Sequence, residues 1–471
     1  MSKKGESIFD TKTLRDIYSE IQSVYLSDLR PWIIGYSGGK DSTTALQLVW
    51  YAITELPKNS RTKPIYVISS DTLVETPIIV EHVDTTLDRI NKTAVEQDMP
   101  FRAEKVKPVT SETFWTNLIG RGYPAPSKTF RWCTERMKIR PADRFILDKV
   151  SQHGEVVLVL GVRKSESMTR AQVMSLYEIK GSPLSRHSRF SGTYVYTPIR
   201  DFSIDDVWGY LLQTPSPIGG NNRDLLALYQ SANSGECPLV VDKTTPSCGN
   251  SRFGCWVCTV VAQDKTIEGL IDSGQEWMEP LLQIRNFLAS TQDPNVKRLY
   301  REFRGRNGTV RMHRNGTGSI SPGPYTLDFC KEVLKRVLRA QVEVRGTGPD
   351  PNLTLITPEE LHEVRRLWRT ERGDWEDSVP AIYREVTGED LAWVRDDIGY
   401  FSSEEAKALE ELCAANGVPS QLAMKLLTAE QSSQGMRRRS SIYPRIDRIL
   451  REEWRPEEEV IGESTGTQGG S

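Results

Sequence analysis

The chain has 471 residues, of which 38% are hydrophobic and 26% charged, and its formal net charge at pH 7 is −2. Because this length exceeds what one hydrophobic core usually supports, we expect two or three domains. The near-neutral charge excludes a protein that is basic over its whole surface, so contacts with nucleic acid would use local patches. The sequence lacks a long apolar run and a signal-peptide core, which predicts a cytoplasmic protein without membrane contact. The seven cysteines are then expected to stay reduced.

The first half of the chain alternates predicted strands and helices. A short buried strand at 32–34 leads into the loop YSGGKDST at 36–43, and an apolar helix is predicted at 44–53. A second strand at 65–68 ends in Ser-Ser-Asp, and the apolar run VVLVLG at 156–161 is typical of a strand buried in a parallel sheet. This alternation predicts an α/β fold with a doubly wound, mostly parallel sheet, whose ligands bind at the carboxyl ends of the strands.

The loop after the first strand has the composition of a phosphate cradle. Gly38 and Gly39 allow successive N–H groups to face an anion, the following helix contributes its positive N-terminal end, and Lys40 adds a full charge. Asp41 is unusual beside phosphates, and we expect it either to orient the cradle or to hold Mg²⁺. The spacing differs from that of the Walker loop. A glycine-rich surface turn is the alternative interpretation.

The loop resembles the pyrophosphate-binding loop of the adenine nucleotide α-hydrolase group, which includes the N-type ATP pyrophosphatases and the phosphoadenosine phosphosulfate reductases. The stretches RWCTERMKIRP (131–141), LGVRKSESMTR (160–170) and TPIRDFSIDDVWGYL (197–211) are similar to the reductase branch. Together with GGNNRDLLALY (219–229) and SRFGCWVCTVV (251–261), they resemble the DNA phosphorothioation proteins of this superfamily. The resemblance covers roughly residues 15–340.

The resemblance implies that the chain binds ATP with Mg²⁺ at the carboxyl edge of the sheet. Arg163 follows a strand, and its planar guanidinium is suited to clamp a phosphate. Ser69 and Asp71 are expected on the adenosine side, with plain solvent exposure as the alternative. The predicted nucleotide-binding residues are Ser37, Gly38, Gly39, Lys40, Asp41, Ser42, Thr43, Ser69, Asp71, Gly161, Arg163 and Glu166.

Four closely spaced cysteines predict a second site, which would bind metal. Cys237, Cys248, Cys255 and Cys258 lie within 22 residues, and the last two form a Cys-x-x-Cys pair. Such spacing lets thiolates converge on one metal site, and from spacing alone a structural zinc ion and an iron–sulfur cluster are equally supported. The resemblance to iron–sulfur members of the superfamily favours a 4Fe-4S cluster.

Cys133 lies about 100 residues upstream, where the reductase branch carries a cysteine pair whose first member is here Trp132. Five cysteines therefore compete for four iron positions. We assign Cys133 to the sulfur chemistry, because Arg131, Arg136 and Lys138 are expected to favour its thiolate. A buried structural thiol is the alternative. Cys330 and Cys413 lie on apolar helical faces and are predicted core residues.

Residues 297–314 contain seven Lys or Arg and one acid. This basic stretch is expected either to follow a nucleic-acid backbone or to be a solvated helix face. The predicted organisation is a nucleotide-binding domain at 15–235, a cysteine-rich iron–sulfur segment with basic helices at 236–345, a mainly helical region at 346–456 that includes a small basic spot at 437–439, and a disordered tail at 457–471.

The resemblance implies an ATP-dependent enzyme of DNA phosphorothioation, linked to restriction–modification. It would adenylate a DNA phosphate with release of pyrophosphate, so that sulfur replaces a non-bridging oxygen, with Lys40, Asp41, Cys133 and Arg163 as catalytic residues. The implied partners are DNA, a cysteine desulfurase as sulfur donor, and other proteins of the DNA sulfur modification complex. Alternatives are a phosphoadenosine phosphosulfate or adenylyl sulfate reductase, a tRNA thiolase, and an iron–sulfur DNA-binding sensor without catalysis.

Overall fold

The computed structural model describes residues 7–166, 168–231, 254–312, 320–392, 403–431 and 442–460. The chain divides into two compact units, one formed by residues 1–109 and 131–282 and the other by 110–130 and 283–471. This division differs from the predicted segments, because 110–130 packs with the second unit and 236–345 contributes to both units. The assignment of a separate function to each predicted segment stays a prediction.

The first unit contains one six-stranded sheet. Its strands are β1 (Trp32–Gly35), β2 (Ile65–Ser70), β3 (Phe101–Val106), β4 (Val156–Leu160), β5 (Ser185–Arg186) and β6 (Thr193–Tyr196). They lie in the order β3-β2-β1-β4-β6-β5, and all neighbouring pairs are parallel except β5 with β6. The short antiparallel strand therefore lies at one edge of an otherwise parallel sheet.

Helices cover both faces of this sheet. The helices of the first unit are α1 (Leu14–Leu26), α2 (Lys40–Thr54), α3 (Pro77–Glu96), α4 (Arg140–His153), α5 (Met168–Leu176), α6 (Ile204–Gln213), α7 (Asn222–Ser231) and α8 (Lys265–Asp272). One core joins α1, α2, α3, α6 and α7 to side chains such as Ile34 and Val67, and a smaller core joins Ile146 of α4 to Ile33 and Leu158 on the opposite face. The predicted doubly wound α/β fold is confirmed.

The strand order reverses between β1 and β4. The chain moves outward from β1 through β2 to β3 on one side and continues from β4 on the other. The loops that leave the carboxyl ends of β1 and β4 therefore diverge, which opens a crevice where doubly wound sheets bind their ligands. The predicted phosphate loop follows β1, and the Gly161–Glu166 loop follows β4.

The second unit is mainly helical in its described residues, as predicted for the C-terminal region. After α9 (Glu279–Ser290), which spans the division between the units, come α10 (Leu327–Thr347), α11 (Pro358–Glu371), α12 (Ser378–Thr387), α13 (Ser403–Ala415), α14 (Ser420–Gln431) and α15 (Ile442–Leu450). The inserted segment 110–130 is held by indole hydrogen bonds: Trp115 donates to the Leu355 carbonyl at 2.7 Å, and Trp368 donates to the Ile119 carbonyl at 2.9 Å.

Two further predictions concern membrane contact and the tail. Among the helices that the structure describes, none is both long enough and apolar enough to cross a bilayer. Residues 457–460 are helical and Val460 is buried, so the chain is still ordered where the disordered tail was predicted to begin. The remaining tail residues and the basic spot at 437–439 lie outside the described residues.

Candidate nucleotide and thiol site

The loop between β1 and α2 has the backbone of an anion cradle. Gly38 has a φ of +73°, and a side chain there would meet Val83 at 2.8 Å, so both backbone and space favour glycine. Gly39 caps α2 without a side-chain hydrogen bond. The hydroxyls of Ser42 and Thr43 both donate to the Gly39 carbonyl at 2.9 Å, which fixes the loop onto the first turn of the helix. Lys40, Ser42 and Thr43 are largely buried.

Asp41 links the two cations of the cradle. Its Oδ2 accepts from Lys40 Nζ at 2.9 Å, and its Oδ1 accepts from Arg163 Nε at 2.6 Å. The three side chains are poorly exposed, at 11% for Lys40, 20% for Asp41 and 3% for Arg163. Because each carboxylate oxygen is held by a cation, Asp41 fits the orienting role better than that of an Mg²⁺ ligand.

The loop after β4 is pressed against the phosphate loop. A Cβ atom at Gly161 would lie 2.5 Å from the backbone oxygen of Asp41, so only glycine permits this approach. Arg163 is further held by a hydrogen bond from Nη1 to the Ser165 hydroxyl at 3.0 Å. The structure thus brings together the predicted residues of both loops, with the partly buried Glu166 three positions after Arg163, at the end of a short 3₁₀ turn.

The residues that leave β2 lie at the same edge of the sheet. Ser69 is buried within β2, and the Asp71 amide continues the ladder by donating to the Val106 carbonyl at 2.9 Å. Asp71 Oδ2 lies 3.6 Å from Lys105 Nζ and 3.4 Å from Lys107 Nζ. Asp71 is therefore an ion-paired residue rather than a solvated one, and its proposed contact with adenosine stays a prediction.

The Cys-x-x-Cys pair packs against the segment that follows Asp71. The Trp256 amide donates to the Val74 carbonyl at 3.0 Å, and Cys255 pairs with Glu75 in an antiparallel bridge. The Cys255 sulfur lies 3.3 Å from the Thr72 hydroxyl. The Cys258 amide donates to the Cys255 carbonyl at 3.0 Å, so the pair forms a tight turn. One short segment therefore connects the nucleotide edge to the cysteines.

Cys133 belongs to the same group of thiols, directly before a π-helical turn at Thr134–Ile139. Burial raises the pKa of the Cys133 thiol; the Thr134 hydroxyl opposes this rise, and Cys258 adds to it. Burial therefore acts against a Cys133 thiolate, and the assignment of Cys133 to the sulfur chemistry stays a prediction. Burial likewise raises the pKa of Cys255 to about 12.

Lys138 places a positive charge beside these thiols. Its Nζ lies 3.2 Å from Glu75 Oε1. Burial would lower the pKa of Lys138, but Cys255, Glu75 and Cys133 together raise it. The ammonium therefore pairs with the Glu75 carboxylate and would favour negative charge on either sulfur.

Cys237 and Cys248 lie outside the described residues. Within the described part of the chain, no group of three or more His, Cys, Asp or Glu side chains is arranged to hold a single metal ion. Cys133, Cys255 and Cys258 come from two chain segments and form no disulfide, and Cys133 and Cys255 each interact electrostatically with Cys258. Each thiolate ligates one iron of an iron–sulfur cluster, so a four-iron cluster would need a further ligand beyond these three. The proposed four-cysteine ligand set stays a prediction.

In the basic stretch of the second unit, three arginines hold their own unit together. Arg301 donates to the carbonyls of Gly323 and Pro322, both at 2.6 Å. Arg304 donates to the Glu453 carbonyl at 3.0 Å and to Gln421 Oε1 at 2.8 Å. Arg306 donates to the Tyr123 hydroxyl at 2.8 Å. Residues 301–306 are not helical, so these three arginines do not form a solvated helix face. Their proposed contact with a nucleic-acid backbone stays a prediction.

Tyr229 is the main residue of the site that sequence reasoning missed. It lies near the end of α7 and contacts the phosphate loop at Lys40, 189 positions away in sequence. In the sequence, Tyr229 is the last residue of GGNNRDLLALY, a stretch that contributed to the family resemblance but suggested no role for the tyrosine. Thr72 and Glu75 were missed for the same reason, since their contacts with Cys255 are long-range.

Comparisons with known proteins agree with the fold. Residues 31–261 match the family described as phosphoadenosine phosphosulfate reductase domain. An uncharacterized protein of Methanocaldococcus jannaschii is 26% identical over 258 residues, which are 55% of this chain and 42% of that protein. The chain therefore matches less than half the length of this relative.

Three solved structures share a distant likeness. FMN adenylyltransferase of Candida glabrata appears twice: as a mutant (12% identity, TM-score 0.28, 50% of this chain and 64% of that chain) and in complex with FAD and inorganic pyrophosphate (11%, 0.27, 52% and 69%). The third is the U34-tRNA thiolase NcsA from Methanococcus maripaludis with its 4Fe-4S cluster (11%, 0.29, 60% and 80%). These likenesses are too distant to carry an argument about function.

The family match and the sheet cover the same part of the chain. The matched range begins just before β1 and ends just after the Cys-x-x-Cys turn, so it contains the phosphate loop, Arg163 and all three described thiols of the site. The similarity to this family therefore covers the whole candidate site.

Proposed function

We propose that the chain is an ATP-dependent DNA phosphorothioation enzyme of the DndC type. One observation supports this most strongly. Residues 71–76 link two sites. At the carboxyl edge of the sheet, Asp41 holds Lys40 and Arg163. On the other side of the segment lie the three thiols of Cys133, Cys255 and Cys258. An enzyme that first activates a phosphate with ATP and then delivers sulfur to it needs both sites within one domain.

The proposed reaction has two steps. A non-bridging oxygen of a DNA phosphate attacks the α-phosphorus of ATP, the bond to the β-phosphate breaks, and pyrophosphate leaves. A partner cysteine desulfurase supplies the sulfur as a persulfide, and a thiol reductant releases it as hydrosulfide, with formation of a disulfide. The hydrosulfide then attacks the DNA phosphorus and expels AMP. The products are pyrophosphate, AMP and a DNA phosphorothioate, and the thiol is the only reductant required.

The residues of the cradle have defined roles in the first step. The Gly38–Lys40 backbone and the N-terminal end of α2 bind the β- and γ-phosphates, while Lys40 and Arg163 offset charge that develops on the departing pyrophosphate. Asp41 is a positioning residue, because it holds both cations before the nucleotide arrives. Mg²⁺ would accompany the triphosphate, but Asp41 as placed does not fit as its ligand.

The thiols serve the second step. Cys133, Cys255 and Cys258, with Cys237 or Cys248, would hold a 4Fe-4S cluster, which supplies a site for the incoming sulfur when it is bound. Lys138 and the Thr72 hydroxyl stabilise negative charge at this site. Since burial raises the pKa values of Cys133 and Cys255, these thiols are poor free nucleophiles and better suited to metal ligation, which deprotonates them.

The deciding experiment is mass spectrometry of host DNA for phosphorothioate dinucleotides. We expect them in cells that carry the chain with its partner proteins, and not when Lys40→Ala replaces it. Phosphorothioates that persist with Lys40→Ala would contradict the proposal.

A reductase of phosphoadenosine phosphosulfate is the second candidate, because that family matches residues 31–261. It would use the same cradle for a sulfated adenylate, with release of sulfite. Such enzymes need a redox thiol, typically near the C-terminus, and the last cysteine here is Cys413. Sulfite release from the sulfated nucleotide, in the absence of DNA, would support this candidate over the first.

A further inference from the structure

Tyr229 lies at the phosphate loop rather than in an ordinary core position. It is 8% exposed, and its ring packs edge-on against Trp208 with centroids 5.3 Å apart. Its hydroxyl accepts a hydrogen bond from the Lys40 backbone N–H at 3.4 Å. The Lys40 ammonium lies 5.6 Å from the centre of its ring. A Cβ atom on Gly39 would be 3.2 Å from the same hydroxyl, so Tyr229 packs against both Gly39 and Lys40.

The Lys40 N–H is one of the donors that a phosphate needs. It belongs to the first residue of α2, and the first N–H groups of a helix have no partner within the helix. An anion at a helix N-terminus binds through these groups. The Tyr229 hydroxyl therefore occupies the position of a phosphate oxygen, and a phosphate that takes this donor has to displace it.

The far end of α7 is fixed to the same helix. Gln47 of α2 and Asn222 of α7 form a reciprocal amide pair, with nitrogen-to-oxygen distances of 2.7 and 3.1 Å. Asn222 also donates to the Leu211 carbonyl at 2.9 Å and to the Thr214 carbonyl at 3.0 Å. With its N-terminal end held, α7 can respond to a ligand mainly at its C-terminal end, where Tyr229 lies.

We infer that Tyr229 is a positioning residue of the phosphate loop, whose hydroxyl holds the Lys40 N–H until a phosphate oxygen replaces it. The inference rests on the proposed function only in that the loop binds the phosphates of a nucleotide. Binding then releases the C-terminal end of α7.

The test compares Tyr229→Phe with the wild-type protein. The variant keeps the ring beside Trp208 and Lys40 but loses the competing acceptor. Because one hydrogen bond contributes about 0.5–1.5 kcal/mol, inorganic pyrophosphate should bind about 2- to 12-fold more tightly by calorimetry. Tyr51→Phe is the matched control, since its hydroxyl donates to the Pro215 carbonyl at 2.8 Å, away from the loop. This control should leave the affinity unchanged.

Hydrogen exchange provides a second measurement. In the wild-type protein, pyrophosphate should increase amide exchange at the C-terminal end of α7, whereas in Tyr229→Phe exchange there should be high with and without the ligand. Unchanged or weaker pyrophosphate binding in Tyr229→Phe would overturn the inference, because the hydroxyl would then be a packing group or a direct ligand contact.

Failure of the proposed function is separable from failure of this inference. Tighter pyrophosphate binding in Tyr229→Phe by a protein that does not cleave ATP would support the role of Tyr229 and contradict the proposed reaction. If the protein cleaves ATP but Tyr229→Phe binds pyrophosphate with unchanged affinity, the result would support the proposed reaction and contradict the role of Tyr229. If wild-type and Lys40→Ala proteins bind pyrophosphate equally, both are wrong.

Discussion

The guanidinium of Arg163 donates to the Asp41 carboxylate at 2.6 Å, across 122 positions of sequence. This ion pair joins the loop after β4 to the first turn of α2 across the point where the strand order reverses. Because Arg163 is almost completely buried, removal of its partner would leave an uncompensated charge in the protein.

The first prediction concerns this pair. Asp41→Ala should unfold at a lower temperature than the wild type, with a loss of about 3–5 kcal/mol in the free energy of unfolding, since a buried charge loses its partner. Asp41→Asn keeps an acceptor for Arg163 and should lose less stability. Both variants should lose pyrophosphate release from ATP, measured alongside thermal unfolding. Full activity in a folded Asp41→Asn protein would show that the negative charge has no part in the reaction.

The second prediction concerns iron. Cys133→Ser, Cys255→Ser and Cys258→Ser should each lower the iron content and the broad visible absorption of anaerobically purified protein, because the proposal makes all three thiols cluster ligands and two of them interact with Cys258. Cys330→Ser and Cys413→Ser are matched controls, since both thiols are buried elsewhere, and they should keep their iron. Retention of iron by Cys133→Ser with loss of DNA sulfur insertion would return Cys133 to the role of sulfur carrier. Protein that holds zinc and no iron would exclude the cluster.

A third prediction separates structural arginines from DNA contacts in the basic stretch. Arg304→Ala should lower the stability of the second unit, because its guanidinium also stacks 5.2 Å from the Trp454 ring centre. Arg298 and Arg311 are exposed, so their joint replacement by Ala should leave stability unchanged. If they contact DNA phosphates, this double variant should reduce the slope of log affinity against log salt by about 2. An unaltered slope would show that Arg298 and Arg311 do not contact DNA phosphates.

The fourth prediction concerns pH. Glu360 is 1% exposed, and burial raises its pKa to about 7, although hydrogen bonds from Thr357, Thr113 and Trp115 oppose this rise. A carboxyl whose pKa is raised in the folded state stabilises the protein while protonated, and this contribution is lost as pH rises through about 7. Relative to Glu360→Gln, the wild type should lose about 3 kcal/mol of unfolding free energy between pH 4.5 and pH 8. The exposed Glu359→Gln, from the same helical turn, should follow the wild type. Parallel pH profiles for wild type and Glu360→Gln would contradict the prediction.

The sequence predicted those features that depend on local pattern. The predicted strand at 65–68 is observed at Ile65–Ser70, and the predicted helix at 44–53 is observed at Lys40–Thr54, where the first turn includes part of the phosphate loop. The edge strand β3 was not predicted, because its sequence FRAEKV alternates charged and apolar residues too briefly to distinguish a strand from a loop.

The remaining features depend on long-range packing. Neither the contact of Tyr229 with Lys40 nor that of Cys255 with Thr72 follows from neighbours in sequence. The Cys133 thiol shows the limit most clearly: adjacent arginines suggested a thiolate, whereas burial, which only the fold determines, raises its pKa. The arginines of the basic stretch likewise had partners in distant segments.

The segment that follows β2 limits the distance between Asp71 at the sheet edge and the residues that contact Cys255. From Asp71 to Glu75 the chain takes four steps, which span at most about 14 Å when fully extended. The Asp71 amide is held by β3, and Glu75 is held by its bridge to Cys255, so neither end is free to travel. The Asp71 backbone and the Glu75 backbone, which pairs with Cys255, therefore lie within about 14 Å of each other. In the proposed reaction, sulfur transfer over that distance would need no mobile carrier arm, only a substrate backbone that lies across both sites.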